Sequence, residues 1–175
     1  MDTGNGGWTI IQRRTSYSDF RKTWTEYKNG FGAVDGNYWL GNDNIATLTG
    51  LGNYKIRFDL YDQSNVHTYA VYSTFSITDE SQKYKLTVSG YSGDAGDDFS
   101  SHSGMMFTTE DEDNDIAENT NCAKYYNGGW WFSNCHNANL NGEYGSTESG
   151  HGIMWYSVTG LTQSLSVTEI KMKRI

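Results

Sequence analysis

Proline is absent from all 175 residues. No turn can rest on a ring-fixed φ, so loop shape falls to the 20 glycines together with Asn and Asp. Long apolar runs are missing as well: no stretch reaches about 18 apolar residues, which excludes a membrane-spanning helix. No Lys or Arg lies between Lys85 and Lys124, a span that holds Asp94, Asp97, Asp98, Glu110, Asp111, Glu112, Asp113, Asp115 and Glu118. Such a segment repels a phosphate backbone. The cations elsewhere, Arg13, Arg14, Arg21 and Lys22 among them, are too diluted by acids to form a nucleic-acid stripe, so no nucleic-acid partner is expected. There is no N-x-S/T sequon and no signal peptide, so an extracellular chain of this kind is expected to be a trimmed or partial form of a longer precursor.

What is present is a load of aromatic residues, 15% of the chain with Trp at six positions and Tyr at thirteen, beside 36% hydrophobic residues. That composition belongs to a packed domain and not to a disordered chain. Net charge is -8. Two cysteines, Cys122 and Cys135, sit in a segment rich in Gly, Asn and Trp. An even, local pair reads as a disulfide closing a loop in an oxidising compartment; the alternative is two buried thiols in a reducing one.

Residues 8 to 14 read as a strand leaving a glycine turn. Phe20, Trp24 and Tyr27 fall at helical spacing, with Ser18 as the expected cap and Gly30 as the stop, and a second helix is expected near 42 to 49. In NYKIRFDLY, Tyr54, Ile56, Phe58 and Leu60 alternate with Lys55, Arg57 and Asp59, the pattern of a half-buried strand. Residues 67 to 77 and 83 to 91 repeat the pattern, and Leu165, Val167, Ile170 and Met172 mark a closing strand. Short polar turns between such runs predict an antiparallel sheet. From about 91 to 164 periodicity is lost, and a loop region of that length carries function or needs staples. Trp8, Trp24, Trp39 and Trp155 are expected in the core, at least one of Trp130 and Trp131 with them, and Arg13 and Arg14 at the surface or in salt bridges.

The segment DEDNDIAENTNC at 111 to 122 has the carboxylate density of a hard-cation site. It is no EF-hand, since the sixth position would be Ile116 and the twelfth Cys122. A register in which Asp113 and Asp115 give carboxylates while Ala117 and Asn119 give backbone carbonyls suits Ca2+; the alternative is a set of solvated acids. Direct ligation by Asp94, Asp97 or Asp98 is not favoured. His67, His102 and His151 are too dispersed in sequence for zinc, and no nucleophile has an orienting partner, so an enzyme is not expected.

Taken in order, GGWTIIQRR at 6 to 14, WTEYKNGFG at 24 to 32, YWLGND at 38 to 43, YSGDAGD at 91 to 97, DNDIAENTNCA at 113 to 123, GGWWFSNCH at 128 to 136, NLNGEY at 139 to 144 and GIMW at 152 to 155 resemble the fibrinogen C-terminal domain family. Within it they are most similar to the recognition domains of ficolins and tachylectins. The resemblance implies an α+β fold: a central twisted antiparallel sheet with short helices (about 1 to 90 and 165 to 175) and a loop-rich calcium- and ligand-binding part (about 91 to 164). The family's small N-terminal subdomain is expected to be missing.

The resemblance further implies a secreted, calcium-dependent, lectin-like recognition domain of innate-immune type, with Ca2+ on Asp113, Asp115, Ala117 and Asn119 and a Cys122–Cys135 disulfide. The implied pocket takes acetyl groups of sugars or microbial-surface glycans on the backbone N–H groups of Cys135 and His136, after a cis Asn134–Cys135 bond and beside Tyr126. The sequence departs from the pattern around 144 to 152, where it is shorter: Ser149 falls at an expected pocket tyrosine, His151 at a frequent Asn and Leu161 at a further aromatic wall, with Tyr156 able to refill part of the volume. Those departures keep open a protein-binding adhesion, matrix or receptor-ligand domain. The peptide pocket of fibrinogen chains uses an acidic residue near Gly150, and this sequence has none there. Homo-oligomers are expected in a full-length context, where they would raise weak single-site affinity.

Overall fold

The computed structural model describes residues 7 to 175; Gly4 and Gly6, which open the expected leading turn and the first family motif, lie outside the described residues. Strand β1 (Thr9–Arg14) is followed by α1 (Trp24–Asn29), β2 (Phe31–Gly32), β3 (Tyr38–Trp39), α2 (Asn42–Gly50), β4 (Tyr54–Tyr61), β5 (His67–Ile77) and β6 (Leu86–Gly93). The loop-rich part then carries α3 (Cys122–Tyr126), β7 (Ala138–Asn139), β8 (Met154–Trp155) and α4 (Tyr156–Thr159), and β9 (Val167–Arg174) is the last strand.

Among the described residues, seven strands form one sheet in the order β2-β3-β1-β9-β4-β5-β6, and every neighbouring pair is antiparallel. The last strand thus lies between β1 and β4. Alternation decides which face of each strand is covered: Ile56, Phe58 and Leu60 on β4 and Ile170 and Met172 on β9 are buried, while Lys55, Arg57, Lys171 and Lys173 turn to the other side. The covered face packs against α2 and the loop-rich part through Tyr72, Phe75, Phe99, Phe107, Trp131 and Trp155. β7 and β8 pair separately inside the loop-rich part.

Several expectations are corrected. The first helix starts at Trp24, and its cap is Thr23, whose hydroxyl accepts from the Glu26 N–H while the Glu26 carboxylate accepts from the Thr23 N–H. That reciprocal box satisfies two end groups where Ser18 would satisfy none. β6 begins at Leu86, because Tyr84 sits at φ +50 and leaves the strand line. On β9 the buried residue is Thr168 and Val167 is only half-buried; the Thr168 hydroxyl donates to Gln12 Oε1, so a polar side chain takes the core-facing position. Trp8 and Trp24 are half-buried, whereas Trp39, Trp130, Trp131 and Trp155 are all in the core. Arg13 pairs with Glu169. Arg14 is fully buried, its guanidinium 3.9 Å from the centre of the Phe20 ring.

Candidate functional site

The loop-rich part has little regular hydrogen bonding of its own, so buried side chains supply partners for its backbone. Arg14 Nη1 donates to the carbonyls of Leu140 and Gly142 at 3.3 and 2.9 Å, and its Nη2 donates to the Ser18 carbonyl. Burial lowers the Arg14 pKa to about 10. Gln12 Nε2 donates to the Leu140 carbonyl and the Asn141 side chain. Both residues stand on β1, so the sheet itself pegs the loops that follow the second cysteine.

His102 does the same for the segment around the cysteines. Its Nδ1 lies 2.8 Å from the Trp131 carbonyl, and its Nε2 accepts from the N–H groups of Asn137 and Ala138 at 3.2 and 3.4 Å. These bonds fix the neutral tautomer with the proton on Nδ1, and burial lowers the imidazole pKa to about 4. No sequence signal marks His102 for this role, because its partners are backbone groups with no side-chain signature. The bracketed loop contains the disulfide Cys122–Cys135, with Cα atoms 5.6 Å apart, and a cis bond at Asn134–Cys135.

α3 starts at the first cysteine and is capped by the Asn121 side chain, which accepts from the Lys124 N–H. It presents Tyr125 and Tyr126 to the loop after β7. The Tyr126 ring meets His136 edge-on at 4.5 Å and His151 at 5.1 Å, and Tyr125 stands 5.2 Å from His151. Gly150 fits beneath Tyr126: a Cβ there would lie 2.8 Å from the ring. Its N–H donates to the Leu161 carbonyl at 2.7 Å, which folds the loop back.

Of the expected pocket residues, then, His136 and His151 both meet the Tyr126 ring, and Cys135 precedes His136 in the chain. Ser149, Asn134 and Leu161 are exposed. His136 has both ring nitrogens buried, and burial pushes its pKa down to about 3 against the opposing pull of the Gly150 backbone. The backbone N–H groups of Cys135 and His136 donate to no protein acceptor among the described residues.

The acidic segment divides in two. Glu110 pairs with Arg21, Glu112 with Lys83, and Asp111 accepts from the Trp24 N–H and the Thr109 hydroxyl. These three tie the loop to α1 and to the turn before β6. Asp115 instead curls its own loop, accepting from the N–H groups of Ala117 and Cys122 at 2.9 Å each, while Asp113 accepts from the Asp115 N–H at 3.3 Å. Burial, together with the neighbouring Asp113, raises the Asp115 pKa. Among the described residues no three His, Cys, Asp or Glu side chains cluster for a metal, so a cation here would need backbone and water oxygens. The carbonyls of Ala117 and Asn119 accept no protein hydrogen bond among the described residues. This set of two carboxylates and two unengaged carbonyls fits a hard cation.

Asp94, Asp97 and Asp98 bond elsewhere: to the Tyr69 N–H, to the Tyr72 hydroxyl and Ser100 N–H, and to Ser157. Trp130 and Trp131 are core residues and do not reach the surface.

The family model for the C-terminal globular domain of fibrinogen beta and gamma chains matches residues 1 to 175. The sequence is 48% identical to Fibrinogen C domain-containing protein 1-B of Xenopus laevis, over 99% of this sequence and 40% of that protein. It is 46% identical to Techylectin-5A of Tachypleus tridentatus, over 100% of this sequence and 62% of that protein. Human tenascin-R is 45% identical, over 99% and 13%. The 175 residues thus span less than two thirds of these relatives, and their near-equal identities give no preference for the ficolin and tachylectin branch. Among solved structures, the fibrinogen-like globe domain of human ANGPTL2 matches with a TM-score of 0.93 at 42% identity, covering 97% of this protein and 81% of that one. A lamprey fibrin D-dimer complexed with the peptide Gly-His-Arg-Pro-amide matches with a TM-score of 0.93 at 36% identity, covering 99% and 63%.

Proposed function

This protein belongs to the fibrinogen C-terminal globular domain family, a family of non-catalytic recognition and structural domains, and from that membership we propose that it is a secreted domain recognising a protein partner through the face around Tyr125, Tyr126 and Leu161. One observation carries this reading. The His136 ring nitrogens are buried and its ring stands edge-on to Tyr126, while Tyr125 on α3, Tyr156 on α4 and Ile116 and Leu161 on loops are about half exposed or more. Large apolar and tyrosine side chains left in water suit a macromolecular interface, in which such residues become anchors. Relatives of comparable identity include tenascin-R, and a solved relative is complexed with a peptide. The disulfide supports passage through an oxidising compartment.

In this reading Ca2+ is held by the Asp113 and Asp115 carboxylates and the Ala117 and Asn119 carbonyls. The cation supplies charge neutralisation to a loop whose two acids otherwise repel each other. Because Asp115 also accepts from the Cys122 N–H, ordering that loop holds the start of α3 and with it Tyr125 and Tyr126.

A second reading, acetylated-sugar recognition, is favoured by the free N–H groups of Cys135 and His136, since an acetyl carbonyl could accept from both. Calorimetric titration with N-acetylglucosamine and N-acetylmannosamine separates the two. No heat is expected at about millimolar sugar, whereas heat that requires both Ca2+ and His136 would replace the protein-partner reading with the sugar one. Peptides enriched from a random phage-displayed library on the calcium-loaded domain are expected to lose affinity about tenfold or more on Tyr125→Ala.

A further inference from the structure

Between the segment that leads into α1 and the loop after β7 lies a cavity of about 180 Å³ that the site above does not use. Tyr17 and Asp19 line it from the first segment, Glu143 and Tyr144 from the second, and Asn127 from the C-terminal cap of α3. The volume is the share of about six water molecules in the liquid, below the roughly 300 Å³ at which pockets for whole small molecules begin. It suits one side chain. Buried Arg14 holds the walls together: its Nη2 donates to the Ser18 carbonyl and its Nη1 to the Gly142 carbonyl, and Asp19 and Glu143 are the next residues along each segment. One guanidinium thus fixes the backbone on both sides and leaves the two carboxylates unspent.

Among the described residues Glu143 has no ion pair, and the side chains of Tyr17, Asn127 and Tyr144 make no hydrogen bond; Asp19 accepts from the Arg21 N–H alone. The nearby cations are committed. Arg21, which also lines the cavity, holds both oxygens of Glu110 at 2.6 and 2.8 Å, and Arg14 is spent on the carbonyls of Leu140, Gly142 and Ser18. The Arg14 charge offsets Asp19 in part, which leaves Glu143 as the uncompensated acid. Tyr17 stands 75% exposed, a large ring in water at this cavity. Tyrosine rings beside carboxylates attract a cation through ring quadrupole and charge together. An anion would be repelled. We propose that this cavity binds one cationic side chain, the ammonium of a lysine or the guanidinium of an arginine, with its charge at Glu143 and Asp19 and its stem against Tyr17 and Tyr144. That a protein partner supplies the side chain rests on the reading given under the proposed function; the preference for a cation does not. Asn127 directly follows Tyr126, so one partner can span this cavity and the Tyr125 face. Both acids are exposed, so the contact is weak and screened by salt, while the net charge of -8 favours approach of a cation.

The test is titration of the whole calcium-loaded protein with n-butylammonium, ethylguanidinium and, as the neutral comparator, 1-butanol, at constant ionic strength and read by backbone amide NMR shifts. Saturable shifts at Tyr17 to Arg21, Asn127, Glu143 and Tyr144 are expected with a dissociation constant of about 10 mM for the better cation, which also names lysine or arginine as the recognised residue. Glu143→Gln is expected to weaken binding about fivefold. Tyr17→Ala is expected to weaken it about threefold. Both side chains are exposed, so the thermal midpoints of these variants are expected to hold. Asp35→Asn, which removes one charge outside the cavity, is expected to leave affinity unchanged. Tyr125→Ala is expected to do the same, so failure of the protein-partner face and failure of this cavity read out separately. The proposal is overturned by absence of saturable shifts at the lining residues, by 1-butanol binding as tightly as the cations, or by Asp35→Asn weakening binding as much as Glu143→Gln, which would mark diffuse attraction to the net charge.

Discussion

The sheet and the loop-rich part solve the same problem, burial of backbone, by opposite means. In the sheet each strand satisfies its neighbour, so side chains on the covered face are free to be apolar, as Ile56, Phe58, Leu60, Ile170 and Met172 are. From Asp94 to Ser164 neighbours are few, and buried polar side chains must take their place: Gln12, Arg14, His102, Asn139 and Asn141 are all fully buried there or aimed there. One region is held by pattern and the other by individual bonds. A substitution that keeps size and apolarity should therefore be mild in the first and severe in the second.

The largest expected effect follows from Arg14→Met, which keeps volume but strips Ser18 and Gly142 of their donor. Orphaning the buried Gly142 carbonyl and the part-buried Ser18 carbonyl costs about 3 kcal/mol in chemical unfolding, against less than about 1.5 kcal/mol for Ile170→Leu on the sheet. A smaller loss separates the regions by acidity. Burial lowers His102 from 6.5 to about 4 in the fold, so the unfolded state protonates first. Its contribution is complete above pH 6.5 and fades as pH falls towards 4, a loss on the order of 3 kcal/mol. Hydrogen exchange near pH 5 is expected to open Trp130 to Leu140 while β4 and β9 stay protected; simultaneous opening would refute the division. Removing the disulfide with Cys122→Ala/Cys135→Ala costs about 3 kcal/mol, read as a lower midpoint in denaturant. The smallest effect belongs to the sheet. Burial opposes ionisation of Asp59, yet Arg57, Lys171 and His67 together hold its pKa at about 2. The resulting stability is present above pH 3.8 and is lost as pH falls towards 2, about 2 kcal/mol.

The same division governs what could be read in advance. β4 was legible because its alternation is a local signal, as was the helix stop at Gly30, where φ is +91. The cap at Thr23 is also present in sequence, in the Thr-Trp-Thr-Glu spacing of a reciprocal box, a more specific signal than the lone Ser18. Arg14 and Gln12 could not be read locally: their partners at Leu140, Asn141 and Gly142 are more than a hundred residues away and are mostly carbonyls, which any residue possesses. Family resemblance groups Tyr126, Cys135 and His136, and the Tyr126 and His136 rings lie 4.5 Å apart. That Gly150 lets Tyr126 settle against His136 is not carried by the resemblance, since it depends on how the loop closes.

The place of β9 between β1 and β4 bears on how the protein is made. During synthesis the ribosome emits β1, then β4 to β6, then the whole loop-rich part, before the residues that join the two sheet fragments appear. Until Val167 to Arg174 emerge, β1 and β4 each expose an open edge, the form most prone to pairing with a stranger. The last eight-residue strand works as a zip fastener, and a nascent polypeptide stalled before it would be a client for chaperones and proteases.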